Sequence, residues 1–183
     1  MPDNVVFSDL HPHVSDTRTE ILKGLQQQQK RIDPKYFYDK RGSALFEQIT
    51  DLPEYYPTRT ERQLLKRYAN AMAEYCGQDC VLIEPGSGSS EKVRLLLDAL
   101  KPAAYVPMDI SAEFLKLAAI QLAEAYPWLH VHAVCADFAD HEKVPDGLPA
   151  GRYVVFYPGS TLGNMKPGDA IGFLKNLGCW LDQ

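Results

Sequence analysis

The stretch Glu84-Pro-Gly-Ser-Gly-Ser-Ser-Glu-Lys92 has the spacing of a glycine-rich turn that holds a nucleotide, and its residue types narrow the choice of ligand. A phosphate-cradling P-loop requires G-x-x-x-x-G-K-[ST]. Counted from Gly86, the second glycine falls on Glu91, and Val93 replaces the hydroxyl that would bind magnesium, so that chemistry is excluded. A dinucleotide fingerprint requires G-x-G-x-x-G. Gly86 and Gly88 fit, but Glu91 stands at the third position. A carboxylate opening the next helix would repel a pyrophosphate, which seeks the positive end of the helix dipole. S-adenosylmethionine carries no phosphate, and its sulfonium and amino groups are cationic. A turn bracketed by Glu84 and Glu91 suits it better, and the glycines let the backbone approach its amino-acid end.

Two further acids stand where such a ligand would need them. Asp109 ends the second apolar run, about 20 residues on, where a carboxylate can bond both ribose hydroxyls. Asp137, in the segment CADF, ends the third run and is placed to reach the adenine edge. Each feature has a plainer alternative. A glycine turn after a strand is often only a turn, and an Asp at a strand end often caps the following helix. Lys92 is either a flexible point charge for the ligand's carboxylate or a solvated helix residue. The coincidence of the turn with two acids, each at the end of its own strand, favours a methyl-donor site.

The elements that position these residues follow from hydrophobic rhythm. From Asp79 onward, short apolar runs alternate with helical segments: CVLIEPG then SEKVRLLLDALK, YVPMDIS then AEFLKLAAIQLAEAYP, HVHAVCADF, and RYVVFYPGS then GDAIGFLKNLGCWL. This alternation predicts an α/β fold, a parallel sheet covered on both faces. The near-continuous apolar character of VLI and YVVF fits buried parallel strands. Residues 1–78 read as a helical segment on the acceptor side, and 79–183 as the first half of the donor-binding domain. Within the first segment, Ile21, Leu22 and Leu25 fall at helical spacing with Ser15 or Asp16 as cap, and glutamines 26 to 29 form a solvated helix face. Residues 42–51 predict a short helix, and LPEYYP a loop. Thr58 and Glu61 have the form of a capping box, opening a helix with Leu64, Leu65, Tyr68, Met72 and Tyr75 on one side.

Composition bounds the function. At 183 residues the chain suits one domain with a real core, and its net charge of −5 argues against a general nucleic-acid binder. No run of eighteen apolar residues predicts a membrane span, and the first residues lack a secretory pattern. Four widely spaced cysteines do not make a disulfide framework, and the expected compartment is the cytoplasm. His130 and His132 alternate on a strand and share a face, but no third ligand stands nearby, so no metal is expected.

Three stretches go beyond spacing. YFYDKRGSALFEQITDLPEYYPTRTE (36 to 61), the GSGSSEK turn and FYPGSTLGN (156 to 164) together resemble the L-histidine Nα-methyltransferase family, which makes the trimethylated histidine used for ergothioneine. The resemblance runs from about residue 17 to the last residue. It implies a class I methyltransferase fold, a Rossmann-like parallel sheet that is incomplete here and preceded by N-terminal helices. It also implies S-adenosylmethionine contacts at Gly86, Lys92, Asp109, Asp137 and Phe138, with Gly88 in the same turn. Tyr55 and Asn164 would hold the amino acid's amino and carboxylate end, with Tyr38 and Gly159 beside the same pocket. Pro85 departs from the family pattern, where an aliphatic residue is common. Family members continue well beyond this length, which leaves the acceptor open between histidine and another amino acid or aromatic amine, and leaves a catalytically incomplete fragment as a third possibility. The plainer alternatives stand beside these roles: Tyr55 and Tyr56 as packed aromatics, Asn164 as a turn residue. No residue is assigned as a general base.

Overall fold

The computed structural model describes residues 2–10, 17–32, 34–37, 39–137 and 144–181. Five parallel strands form one sheet: β1 (Val5–Asp9), β2 (Val81–Pro85), β3 (Ala104–Asp109), β4 (His130–Cys135) and β5 (Tyr153–Val155), in the order β1-β4-β3-β2-β5. The chain leaves β2 toward β3 and β4, then crosses back to lay β5 on the other side of β2. The carboxyl end of β2 is therefore the point where successive connections diverge, and in open parallel sheets the ligand crevice opens there.

Side chains alternate across each strand. One face carries Leu82, Tyr105, Val131, Ala133 and Cys135, packed beneath Leu97 and Leu100 of α4 (Arg94–Leu100) and Leu115, Ala119 and Leu122 of α5 (Ala112–Ala125). The other carries Val81, Ile83, Val106, Met108 and Val134 against Phe173, Leu177 and Trp180 of α6 (Pro167–Leu181). α5 forms because Leu and Ala dominate it, with Leu115, Ala118, Ala119, Leu122 and Ala123 recurring on one stripe. Each fully buried Leu or Ile on these faces contributes about 1.5–3 kcal/mol.

The N-terminal stretch contributes a strand as well as helices. β1 pairs with β4 from Val5↔Val131 to Asp9↔Cys135, and Asn4 Nδ2 donates to Leu129 O at 2.8 Å, fixing the entry. α1 (Thr17–Gln26) has no buried residue; Leu22 and Leu25 are exposed, and Ser15 and Asp16 lie outside the described residues. Gln27 to Gln29 leave the helix, because Arg31 N donates back to Gly24 O at 3.1 Å. α2 (Lys40–Thr50) starts at Asp39, whose carboxylate accepts from Gly42 N.

The expected capping box does not form. α3 (Tyr56–Cys76) begins ahead of Thr58, because Pro57 supplies a preset φ at the first turn, and Thr58 is a buried helical residue. The inward side of α3 also differs from the expected one. Leu65 is buried, and Ala69, Met72, Ala73 and Cys76 face α4, whereas Leu64, Tyr68 and Tyr75 are exposed. The four cysteines are free thiols, and no helix among the described residues is long and apolar enough to cross a membrane.

Candidate functional site

The segment after β2 turns through three consecutive alternating left-handed positions, Gly86 (φ 68), Gly88 (φ 53) and Ser90 (φ 55). Glycine takes such angles at little cost, and at Gly88 a side chain would meet nothing within 4 Å, so backbone angle rather than space demands it. Gly86 N and Ser87 N both donate to Met108 O, at 2.8 and 3.0 Å, which ties the turn to the end of β3.

Asp109 locks it from the other side. Its Oδ2 accepts from Gly88 N at 3.0 Å and its Oδ1 from Ser111 N at 3.0 Å. Each carboxylate oxygen keeps a second lone pair for a further donor. Burial pushes the Asp109 carboxyl above its ordinary range, and the backbone N–H groups of Ser111, Gly88 and Ile110 pull it back.

Beneath the turn, Glu84 is 1% exposed. The Tyr105 hydroxyl, equally buried, donates to Glu84 Oε2 and lies 3.1 Å from Ser90 Oγ, which supports the strained Ser90 backbone. Burial pushes the Glu84 carboxyl up to about 8; the Tyr105 bond and the Lys92 charge oppose that, while Asp109 and Glu61 add to it. Glu91 differs from Glu84. Residues 91–93 form a turn ahead of α4, and the Glu91 side chain is half exposed, with Oε1 3.3 Å from Arg94 Nε. Of the two acids bracketing the motif, only Glu84 is buried within it.

Lys92 is not a solvated helix residue. Its Nζ lies 2.6 Å from Glu61 Oε2, and Glu61 Oε1 accepts from Gly159 N at 2.7 Å. One α3 carboxylate thus joins the glycine turn to the loop after β5. Ser89 Oγ donates to Glu47 Oε1 at 3.0 Å, a second tie from the turn to α2. Glu61 pairs with the Lys92 ammonium and burial keeps Glu84 neutral up to about pH 8, so the charge left over at the turn is that of the Asp109 carboxylate, which favours a ligand carrying positive charge.

The structure bonds Gly88 to Asp109, ties Gly86 to the neighbouring Met108 at the end of the same strand, and joins Lys92 to Gly159 through Glu61. Asp137 lies two residues past β4, half-buried, at the same carboxyl edge of the sheet. Tyr55 ends the loop before α3; its ring packs edge-on against Phe46 with centroids 6.3 Å apart. Arg59 fixes that loop by donating to Leu52 O at 2.8 Å and Pro53 O at 2.5 Å. Asn164 is exposed at the end of a 3-10 turn, Thr161–Asn164. Tyr38 and Phe138 lie outside the described residues. Tyr105 belongs to no motif, and the capping-box pattern that holds Glu61 points to a role it does not take. Glu61 sits 31 residues from its partner Lys92 and 98 from Gly159, a separation that spacing cannot reveal.

His130 is exposed, and His132 Nε2 lies 2.9 Å from Ser8 Oγ. Among the described residues no three His, Cys, Asp or Glu side chains are grouped to hold a metal. A cavity of about 170 Å³ lies under α3, lined by Ala69, Met72, Cys76, Leu82, Val154 and Phe156 among others. Its apolar walls offer nothing to a zwitterion, so it is a packing gap rather than the ligand site.

Residues 17–183 match a family described as histidine-specific methyltransferase, SAM-dependent. The chain is 43% identical over 165 residues to the histidine N-alpha-methyltransferase of Mycobacterium tuberculosis, across 87% of this chain and 50% of that protein. It is 35% identical over 155 residues to ergothioneine biosynthesis protein 1 of Neurospora crassa, across 81% of this chain and 18% of that protein. It is 30% identical over 186 residues to the 4-dimethylallyltryptophan N-methyltransferase of Claviceps purpurea, across 97% of this chain and 54% of that protein. The chain spans about half the length of the bacterial relative.

Proposed function

The chain belongs to the histidine-specific, SAM-dependent methyltransferase family, and from that membership we propose that it serves methyl transfer from S-adenosylmethionine to the α-amino group of an amino acid, with L-histidine the favoured acceptor. The observation that carries this reading is the Gly88–Asp109 lock: an acid at the end of β3 bonded to the glycine turn at the end of β2, with lone pairs to spare. The donor set fits the ligand. With Lys92 offset by Glu61 and Glu84 neutral, the Asp109 carboxylate suits a molecule with two cationic groups and one carboxylate, and it would repel a pyrophosphate.

In this reading Asp109 holds the ribose hydroxyls, Asp137 and Phe138 the adenine, and Gly86, Gly88 and Lys92 the amino-acid end. Tyr55 and Asn164 hold the acceptor's amino and carboxylate groups, with Tyr38 and Gly159 beside them. The helices within residues 1–78 serve the acceptor side, and residues 79–183 together with β1 form the donor-binding class I Rossmann-like sheet. When bound, S-adenosylmethionine supplies an electrophilic methyl on its sulfonium. The chain's own task is alignment of a neutral amine with that methyl, and orientation of this kind can lower a barrier by about 7 to 11 kcal/mol. Tyr55 and Asn164 would orient the amine's lone pair through hydrogen bonds, and neither is assigned as a proton acceptor.

The test is methyl transfer from labelled S-adenosylmethionine to each of several amino acids, measured on the whole protein that contains this chain. Label on the α-nitrogen of histidine, and much less on tryptophan derivatives, is the expected result. The Claviceps relative, whose name gives a prenylated tryptophan as acceptor, supports a second reading with another amino acid. Preferential labelling of a tryptophan derivative would favour it. No labelling of any amine would overturn both.

A further inference from the structure

The two carboxylate oxygens of Glu61 bridge the donor turn and the acceptor-side loop: Oε2 lies 2.6 Å from Lys92 Nζ, and Oε1 accepts from Gly159 N at 2.7 Å. The bridge is partly shielded, with Lys92 25% and Glu61 27% exposed at their side chains. Charge-assisted bonds of this kind are about twice as strong as neutral ones. The loop it holds is not free to relax. Gly159 has φ 93 and Ser160 φ 61, both left-handed, and a Cβ on Gly159 would lie 3.2 Å from Lys92 Nζ. The loop backbone therefore rests against the lysine ammonium, and a shift of Lys92 is felt at Gly159. The 3-10 turn bearing Asn164 follows directly.

We propose that Glu61 is a positioning residue that couples the methyl-donor turn to the acceptor-side loop, so that donor and acceptor bind cooperatively; this rests on the methyl-transfer reading above. Lys92 has three N–H donors. Glu61 engages one and fixes where the others point, toward a ligand carboxylate at the turn. A ligand that draws Lys92 into its final position also sets the Gly159 backbone, and with it the loop that receives the amino acid. By linkage, the acceptor must tighten the donor by the same factor.

The experiment is calorimetric titration of S-adenosylhomocysteine into the whole protein, with and without saturating histidine, for wild type, Glu61→Gln and Glu61→Ala. Glutamine keeps an oxygen for Gly159 N–H but loses the charge facing Lys92. Wild type is expected to bind S-adenosylhomocysteine at least about five-fold more tightly with histidine present, within the usual range of coupling. Both variants should bring that ratio close to one. Amide exchange at Gly159 gives an independent readout: faster in Glu61→Ala, close to wild type in Glu61→Gln. Equal weakening in all conditions with the ratio unchanged would reduce Glu61 to a structural role and overturn the proposal, as would unchanged Gly159 exchange in Glu61→Ala. A wild type that binds no S-adenosylhomocysteine would overturn the methyl-transfer reading and the cooperativity together, while Gly159 exchange would still show whether Glu61 anchors the loop.

Discussion

Replacing Glu84 by glutamine should flatten the dependence of folding stability on pH. In the folded chain the buried Glu84 carboxyl holds its proton up to about pH 8, whereas its ordinary value is 4.5. Between those limits the folded state binds more protons than the unfolded state, so stability falls as pH rises. The contribution is fully present below 4.5 and is lost as pH passes through about 8. One proton sets the steepest slope at about 1.4 kcal/mol per pH unit. Glutamine has nearly the same shape, keeps an oxygen to accept the Tyr105 hydroxyl, and does not titrate. The assay is urea unfolding of both proteins at several pH values across this window. The difference in unfolding free energy, wild type minus Glu84→Gln, should fall with a slope approaching that limit. Two parallel stability profiles would refute the account, because they would mean that Glu84 titrates alike in both states and is not held neutral beneath the turn.

The other predictions concern the turn and the core. Gly88→Ala places a Cβ in open space but on a backbone at φ 53, so it should lower stability by about 1–2 kcal/mol, read by the same urea unfolding. Leu97→Ala empties a site with no solvent exposure between α4 and the sheet, and should cost about 2–5 kcal/mol. Tyr105→Phe removes the hydroxyl that serves both Glu84 and Ser90; a loss of about 1–3 kcal/mol is expected, checked by thermal unfolding.

Much of the sheet was legible because buried parallel strands are short continuous apolar runs and the helices between them are longer; β2 through β5 and α4 through α6 follow that contrast. β1 was not legible. VVFSD is brief, half polar and stands beside the terminus, and it becomes a strand only because β4 offers an unpaired edge. Thr58 and Glu61 show the opposite failure. Their spacing fits a capping box, but Pro57 starts the helix earlier and leaves Glu61 free for Lys92 and Gly159. The positions of Gly86 and Gly88 in the turn after β2, and of Asp109 at the end of β3, could be read from the sequence because each sits at a strand end. Glu84 and Glu91 looked equivalent there, and only the left-handed Ser90 and the late start of α4 separate the buried acid from the exposed one.

The central claim is that the turn after β2 and the acid ending β3 form a methyl-donor site. Its most direct test is calorimetric titration of S-adenosylhomocysteine into wild type and Asp109→Ala, each first shown to be folded. Losing two charge-assisted bonds of about 1.5–3 kcal/mol each predicts a loss of affinity of at least about a hundred-fold in the variant. Equal affinity in the two proteins would contradict the assignment of Asp109, and no binding to folded wild type would contradict the site itself.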